Sequence, residues 1–383
     1  MTPLTLGILA RSRKENELRL AIHPRHLRQI PEDLRPFVLL ERGYGERFGF
    51  SDEQVGAWVG GLRSREELVA ESDVVLAPKP LLSDVAELRE GQTLWGWPHC
   101  VQDSELTQVA IDRSLTLIAF EAMNHWGPDG AFNLHVFHKN NELAGYSSVL
   151  HAMQLAGMAG DYGPRLRAVV IGFGATARGA VTALDALGVH DVDVLTRRDV
   201  AAVAAPIHSA RIVRLDDDPS GGRVGHAVTA EGRVPLPEFL GEHDIIVNCV
   251  LQDTEAPLMF LTDDDLPDLA SGTVIVDVSC DEGMAFGWAR PTSFEEPAFA
   301  VGNGVLYYAV DHSPSYLWNS ATWEISSALM SFLRTVMGGP DAWVEDETVR
   351  RAIEVRDGVV LNPAILAFQG RDADYPHAVG RRD

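Results

Sequence analysis

The chain has 383 residues, 46% of them hydrophobic, with 55 acidic and 32 basic side chains and a formal net charge of −23. This length suits two domains of ordinary size, and the apolar fraction is sufficient for a substantial core. The negative charge argues against nucleic acid or an anionic membrane as the main partner, because both are bound through cationic faces.

Cysteine usage and the first residues bear on the cellular compartment. The three cysteines, Cys100, Cys249 and Cys280, include no CxxC pair, which disfavours a disulfide framework or a zinc ribbon. No basic region precedes the first short apolar run, and nowhere do 18 apolar residues follow one another. We therefore expect a cytoplasmic protein without a signal peptide, a membrane span or a bound metal.

Short β-type runs alternate with helical stretches through the first third of the chain. The segment DEQVGAWVGGLRSREELVAES (52–72), for example, has the apolar spacing of an amphipathic helix. The alternation predicts a doubly wound parallel sheet. The predicted strands lie within residues 4–10, 37–43, 73–80, 93–99 and 115–123.

A second alternating series follows a predicted helix in LAGYSSVLHAMQLAGMAG (143–160). Its apolar runs have the β-branched density of strands buried on both faces. The segment 314–337 is predicted to be helical and to pack back on one of the domains, and 346–370 to be a short helix and a tail. The strands of the second series are predicted within residues 166–174, 190–198, 210–215, 243–250 and 272–279.

The strongest single motif is AVVIGFGATARGAVTALDALG, a buried strand followed by a glycine turn and a helix. Gly172 permits the tight turn, Gly174 lets the backbone approach a pyrophosphate, and Ala177 keeps the helix close to the strand. The backbone of Ala175 and Thr176 would face the phosphates at the helix N-terminus. A glycine turn that only packs is the alternative, but the strand before and the helix after favour dinucleotide binding.

The residues at the end of the second strand of this series bear on whether NAD or NADP is bound. Sheets that bind NAD usually carry an acid there for the ribose 2′-OH, whereas arginine accommodates a 2′-phosphate. Here the strand ends in Thr196-Arg197-Arg198 with no acid at the expected place. We therefore expect NADP(H), and the alternative is that both arginines are merely solvated surface residues.

Three polar residues of the first series would look ordinary one by one. Arg19 lies in RKENELRLAIHP, while Lys79 and His99 each come at the end of a predicted strand. Ligands of open α/β sheets bind outside the carboxyl ends of the strands, so Lys79 and His99 are expected to reach one cleft. Taken alone, Arg19 could be a surface ion pair and His99 a partly buried structural histidine.

The order of motifs resembles the alanine dehydrogenase family, which also includes saccharopine dehydrogenases, the membrane transhydrogenase nucleotide-binding subunit and N5-(carboxyethyl)ornithine synthases. The resemblance spans nearly the whole chain. It implies two Rossmann-like doubly wound α/β domains with a cleft between them: a substrate domain, 1–140 plus 312–383, and an NADP-binding domain, 141–311. The matching segments are KENELRLAIHP, GYGERFGFSDEQ, LAPKP, LREGQTLWGWPH, AFEAM, NNELAG, the glycine loop, VDVSCDEGMAFGWARPTSFEEPAF and YYAVDHSP.

The resemblance also implies roles for individual residues. Arg19 and Lys79 would hold the carboxylate or carbonyl of a 2-oxo acid, and His99 would exchange the proton at the reacting carbon. Asp281 would lie beside the nicotinamide ribose and the incoming amine, although an acid in a turn also caps helices. Asn141 and His312 would contact the cofactor.

The cationic second substrate needs its own anchors, for which Glu121, Asn140 and Glu142 are candidates beside Asn141. Helix capping or hydrogen bonding between domains explains Asn140, Asn141 and Glu142 about as well.

Several departures narrow the position within the family. The Gly-rich insertion before the nucleotide strand of alanine dehydrogenases is missing, their ribose aspartate is replaced by Thr196-Arg197, and His312 stands where an asparagine is expected. These features look more like the NADPH-using carboxyethylornithine synthases, which join pyruvate to an amino group of ornithine or lysine. We expect a homo-oligomer that condenses a 2-oxo acid with an amino acid. The alternatives are reductive amination with ammonia and a nucleotide-binding protein without redox turnover.

Overall fold

The computed structural model describes residues 2–197, 210–217, 224–252 and 257–380. The chain divides into two compact units. Unit 1 comprises Met1–His138 and Trp318–Asp383, and unit 2 comprises Lys139–Leu317. No helix within the described ranges is both long enough and apolar enough to cross a membrane.

The strands of the described residues fall mostly into two large sheets. In chain order they are β1 (Leu6–Ile8), β2 (Val38–Glu41), β3 (Gly61–Arg63), β4 (Val74–Ala77), β5 (Thr93–Gly96), β6 (Thr116–Ala119), β7 (Asn124–Trp126), β8 (Phe132–His135), β9 (Arg167–Ile171), β10 (Asp191–Thr196), β11 (Arg211–Asp217), β12 (Val224–Thr229), β13 (Gly232–Pro235), β14 (Ile245–Asn248), β15 (Met259–Leu261), β16 (Val274–Asp277), β17 (Ala285–Phe286), β18 (Ala298–Val301), β19 (Val305–Tyr308), β20 (Ile353–Arg356) and β21 (Val359–Val360).

The α-helices are mostly short, and several 3₁₀ turns supplement them. The helices are α1 (Asp52–Gly56), α2 (Arg65–Glu71), α3 (Leu82–Val85), α4 (Ser104–Asp112), α5 (His138–Ala156), α6 (Ala175–Ala186), α7 (Leu236–Gly241), α8 (Trp318–Leu329), α9 (Leu333–Met337), α10 (Pro340–Glu345), α11 (Glu347–Ala352) and α12 (Pro363–Gln369). The 3₁₀ turns are Pro24–Gln29, Arg35–Phe37, Glu46–Phe48, Phe120–Ala122, Asp263–Asp268 and Ser313–Leu317.

The sheet of unit 1 is doubly wound. Within the described residues, six parallel strands run in the order β6-β5-β4-β1-β2-β3, and the antiparallel β20-β21 hairpin extends the β6 edge. Because the strand order reverses between β1 and β4, the crevice at the carboxyl ends of these strands is the expected ligand site. Strands β1, β4, β5 and β6 are fully buried, which explains their continuous apolar sequences.

Two sequence predictions for unit 1 were wrong in part. The segment 52–72 is not one amphipathic helix but contains α1, β3 and α2. A Cβ at Gly60 would lie 2.2 Å from the Pro36 carbonyl oxygen, and Gly61 has a φ of +142°. A continuous helix therefore cannot pass through these two glycines, and the chain instead forms the edge strand β3 beside β2. The predicted tail 346–370 also contains the β20-β21 hairpin.

Unit 2 has the same strand order in its own sheet. The described parallel strands run β11-β10-β9-β14-β16-β19, with β12 and β13 antiparallel at one edge and β18 at the other. This is the strand order of dinucleotide-binding sheets, whose ligand crosses the switch point, here between β9 and β14. The predicted fold class, two Rossmann-like doubly wound α/β domains, is confirmed.

Helices α5 and α6 of unit 2 touch backbone to backbone through two glycines. A Cβ at Gly145 would lie 2.0 Å from the Thr176 carbonyl oxygen, and one at Gly179 would lie 1.7 Å from the Glu142 carbonyl oxygen. No side chain fits at either position without separating the helices. The first residues of α5 are thereby fixed against the first turn of α6.

Gly179→Ala is expected to destabilise unit 2, because the added methyl group meets backbone rather than a flexible side chain. Overpacking of this kind costs about 1–3 kcal/mol, so the midpoint of urea denaturation should fall. Thr182→Ala, on the exposed face of the same helix, is the matched control and should change it little. Equal midpoints for the two variants would show that the helices separate without cost.

Candidate functional site

Three polar residues follow neighbouring strands at the carboxyl edge of the sheet of unit 1. Lys79 comes after β4, His99 after β5 and Glu121 after β6. Because these strands are parallel neighbours, their ends lie at one edge of the sheet.

His99 is held by its backbone in an uncommon conformation. Its φ is +50°, in the left-handed region that few residues other than glycine adopt. The backbone N–H of His99 donates to the Glu121 carboxyl at 2.7 Å, and Nδ1 lies 3.8 Å from the same oxygen. The side chain is 45% exposed. The imidazole is thus accessible to solvent, while the hydrogen bond from the His99 backbone N–H to Glu121 holds the backbone in place.

Arg19 lies in the segment after β1 and is buried. Its Nε donates to the Glu17 carboxylate at 2.8 Å, and the Glu17 carboxylate also accepts from the Arg19 backbone N–H at 3.0 Å. The guanidinium carbon lies 5.5 Å from the centre of the Trp97 ring. Arg19 therefore forms an ion pair, but a buried one and not the surface pair considered as an alternative in the sequence analysis. Its guanidinium lies over Trp97, which is between the end of β5 and His99.

The carboxyl of Glu121 is strongly perturbed by its surroundings. Burial, and then the charge of Glu354, raise the pKa of Glu121 to about 8, although Lys79 opposes the shift. The Glu121 side chain is 26% exposed, yet its Oε2 is buried and has no hydrogen-bond partner among the described residues. A pKa raised in this way favours the neutral carboxyl, which offers a cationic amine little opposite charge.

Lys79 is partly buried on a loop with a fixed backbone. The Ser12 hydroxyl donates to the Lys79 carbonyl oxygen at 2.6 Å, so the segment after β1 holds the segment after β4. The ammonium group interacts with the Glu121 carboxyl. A cationic head at a strand end suits a carboxylate or a polarised carbonyl.

The glycine loop of unit 2 has the geometry that the sequence predicted. Gly172 has a φ of +119°, and a Cβ there would lie 3.1 Å from the Cys249 carbonyl oxygen. Gly174 is the N-cap of α6, and a Cβ there would have no described atom within 4 Å. Ala175 and Thr176 begin the helix, and Ala177 is fully buried against the strand. The open space at Gly174 lies before the free N–H groups of the helix, where an anion binds well.

A cavity of about 380 Å³ adjoins this loop. Thr196, at the end of β10, is buried, and Arg197 beside it is exposed. Leu251 and Leu258 give the cavity an apolar wall suited to a flat ring. The predicted contact Arg198 lies outside the described residues. The lining includes Gly172, Phe173, Leu195, Thr196, Arg197, Leu215, Leu251 and Leu258.

Asp281 lies in the turn after β16, and burial raises its pKa. The turn is organised by Asp277, the last residue of the strand, which accepts from the Tyr307 hydroxyl at 2.6 Å, from Asn248 at 2.9 Å and from the Cys280 N–H at 3.1 Å. Burial raises the pKa of Asp277 to about 6 despite these donors. Sequence reasoning missed Asp277, although an acid at the end of a buried strand was a visible signal.

Asn141 and His312 belong to segments that converge near the first turn of α6. Gly145, one turn after Asn141, packs against Thr176, and the Ser313 hydroxyl donates to the Ala144 carbonyl oxygen at 3.2 Å. His312 is buried, with Nδ1 2.6 Å from the Asp311 carboxylate.

The predicted residues thus divide between the two units. Arg19, Lys79, His99 and Glu121 belong to unit 1, whereas the glycine loop, Thr196, Arg197, Asn141, Asp281 and His312 belong to unit 2. Of the other candidates, Asn140 is buried and Glu142 is 2.7 Å from Lys139 in an ion pair. Glu17 and Glu354 join the residues of unit 1 without having been predicted.

Comparison with known proteins gives consistent relatives. The chain is 28% identical over 373 residues to the alanine dehydrogenase of Halomonas elongata, covering 93% of this chain and 95% of that one. It is 25% identical over 385 residues to the alanine dehydrogenase of Mycobacterium tuberculosis, covering 96% and 97%.

Solved structures show the same fold. An L-alanine dehydrogenase superposes with a TM-score of 0.74 at 19% identity, covering 95% of this chain and 99% of that one. A transhydrogenase from Sinorhizobium meliloti gives 0.70 at 18% identity, covering 94% and 99%.

Two family models divide nearly the whole chain between them. The model of the alanine dehydrogenase/PNT N-terminal domain matches residues 7–144. The model of the C-terminal domain matches residues 146–363. The chain therefore belongs to the alanine dehydrogenase/PNT family.

Proposed function

We propose that this protein is an oxidoreductase that acts on CH–NH₂ or CH–NH bonds and uses NADP(H) to join an amine to a 2-oxo acid reductively, or to reverse that reaction. The single observation that carries the proposal is the arrangement at the carboxyl edge of unit 1. There, an imidazole on a left-handed backbone stands beside a lysine from the neighbouring strand end.

The side chains of unit 1 bind and polarise the oxo acid. Lys79 supplies positive charge, and Arg19, which stays paired with Glu17, offers N–H donors to the carboxylate and carbonyl oxygen. His99 gives a proton to the oxygen that leaves as water when the carbinolamine becomes an imine, and imidazole is the side chain most often used for such proton transfers. In sum, one 2-oxo acid, one amine, one hydride and one proton give the product amine and one water.

The residues of unit 2 fit a dinucleotide. Gly174 leaves space for a pyrophosphate before the N-terminus of α6, and the cavity bounded by Leu251 and Leu258 suits the adenine. When bound, the nicotinamide supplies or takes up the hydride. Asp281 would face the ribose and the amine, while Asn141 and His312 would border the nicotinamide. Arg197 would meet a 2′-phosphate, since no acid is present at the end of β10.

Two amines are compatible with this site. Ammonia is favoured by the relatives, because the chain matches alanine dehydrogenases over nearly their full length. An amino group of an amino acid such as ornithine or lysine is favoured by the departures at Thr196, Arg197 and His312. The high pKa of Glu121 weakens its role as an anchor for a cationic side chain, so we place ammonia first.

A substrate panel tests the proposal. The purified protein is incubated with NADPH, a 2-oxo acid (pyruvate, glyoxylate or 2-oxoglutarate) and either ammonia or an amino acid, and products are identified by mass spectrometry. Ammonia alone should yield the primary amino acid. A secondary amine formed only with ornithine or lysine would replace the first candidate by the second, and no product from any pair would refute both.

Arg197→Asp is expected to reverse the cofactor preference. The aspartate repels a 2′-phosphate and accepts from a ribose 2′-OH, so the NADPH/NADH ratio of kcat/KM should fall about 100-fold, as charge-assisted contacts of this kind contribute about 1.5–3 kcal/mol. Arg165→Asp is the control, because Arg165 is exposed and precedes β9, away from the loop. An unchanged ratio in Arg197→Asp would remove the residue from the cofactor site.

A further inference from the structure

The strand β20 carries a β-bulge opposite β6. Ile353 pairs with Ile118 and Val355 with Leu117, so Glu354 between them is an extra residue without a partner in the ladder. Bulges of this kind redirect a side chain and are frequent beside active sites. Glu354 is only 4% exposed, and its charge acts on Glu121, which follows the strand opposite.

The two carboxyl groups are held in the same way. One oxygen of Glu121 accepts from the His99 backbone N–H at 2.7 Å, and one oxygen of Glu354 accepts from the Asn362 amide at 2.9 Å. The second oxygen of each is buried, and neither finds a donor in the part of the chain that the structure describes.

Two buried carboxylates that are both ionised would be unfavourable. Burying one unpaired charge is already unfavourable, and a like charge nearby adds to that cost. A proton on one of the two carboxyls removes this repulsion. The other titratable groups that face the pair are Lys79, His99, Cys100 and, through the Glu121 carbonyl oxygen, His135.

We propose that Glu121 and Glu354 share one proton in the sense that the pair binds a single proton at neutral pH and holds it on Glu121. Glu354 is then a positioning residue whose negative charge keeps Glu121 uncharged beside Lys79. Burial raises the pKa of both carboxyls, and Glu354 raises that of Glu121 further. The catalytic consequence rests on the proposed function. With Glu121 neutral, the positive charge of Lys79 is directed to the oxo acid instead of being neutralised by a neighbouring carboxylate.

Infrared spectroscopy of the protein without substrates tests the shared proton directly. The carbonyl stretching band of a protonated carboxyl should be present at pH 7, should disappear as the pH is raised through about 8, and should be lost in Glu121→Gln. In Glu354→Gln the like charge is removed, so the band should disappear at a pH lower by about one unit or more. Absence of the band in the unmodified protein at pH 7 would overturn the proposal without any variant.

Kinetics test the positioning role. In Glu354→Gln at pH 8, KM for the 2-oxo acid should rise about tenfold with a smaller change in kcat, because an ionised Glu121 competes for Lys79, and the difference should shrink at pH 6. The control is Asp357→Asn, which removes a charge from the turn of the same hairpin, where Asp357 faces Thr116. A KM that rises equally at both pH values, or equally in the control, would refute the role.

The two levels of the proposal fail separately. If the infrared band behaves as expected but no pair of substrates turns over, the proton is shared and the proposed function is wrong. If turnover is found but the band is absent or does not move in Glu354→Gln, the proposed function stands and the shared proton is refuted.

Discussion

His99→Asn is expected to lower turnover about 100-fold or more, the usual effect of losing a general acid–base group. Asparagine is the informative replacement, because it tolerates a left-handed φ such as the +50° of His99 better than alanine does. The backbone N–H that donates to Glu121 is kept. The fall in turnover can therefore be attributed to the missing imidazole and not to a rearranged loop. It is measured as kcat at saturating substrates, with the thermal midpoint recorded alongside.

His190→Asn provides the matched control, since His190 is exposed on unit 2 and lies beside Asp185. Its turnover should stay within about twofold, as for ordinary surface substitutions. If His99→Asn retained near-normal kcat with an unchanged thermal midpoint, the proton transfer would have to be assigned to another group.

Lys79→Met is expected to lower kcat/KM for the 2-oxo acid about 100-fold, which corresponds to about 2.7 kcal/mol of transition-state binding. Methionine keeps the unbranched shape of the side chain and removes the charge. The loop itself should stay in place, because the Ser12 hydroxyl holds the backbone carbonyl of residue 79. Initial rates at varied oxo acid and fixed NADPH separate the effect on KM from that on kcat.

Lys139→Met is the corresponding control. Lys139 is an exposed lysine whose ion pair with Glu142 joins neighbouring turns of one helix, a contact that contributes little to stability. The KM for NADPH should change little in both variants. A kcat/KM for the oxo acid that is equal in the two lysine variants would show that Lys79 does not hold the substrate.

The fold, and the positions of the candidate site residues at strand ends, were predictable because the central strands are buried on both faces. Such strands are continuous apolar runs, as in β9 and β14, and they need no information from distant parts of the chain. When such a strand is predicted correctly, the position of the residues at its carboxyl end is predicted with it. Lys79, His99 and Thr196 were placed correctly because the strands before them were.

Edge elements were not predictable for the opposite reason. The strand β3 has three partly exposed residues, and the β20-β21 hairpin pairs with a strand more than two hundred residues earlier. The importance of Glu354 depends on a bulge that shifts the register of that pairing. The role of Glu17 was likewise not predictable, because a Glu-x-Arg spacing is ordinary in sequence. Only the folded chain shows that Glu17 and Arg19 form a buried ion pair.

The most direct test uses NADPH that carries deuterium at the transferable position of nicotinamide C4, together with pyruvate and ammonia. The proposed function predicts alanine that carries one deuterium at Cα, formed in step with NADPH oxidation and formed about 100-fold more slowly in His99→Asn. Oxidation of NADPH without label in any amine product, or no oxidation with any oxo acid and amine, would contradict hydride transfer to an imine carbon by this protein.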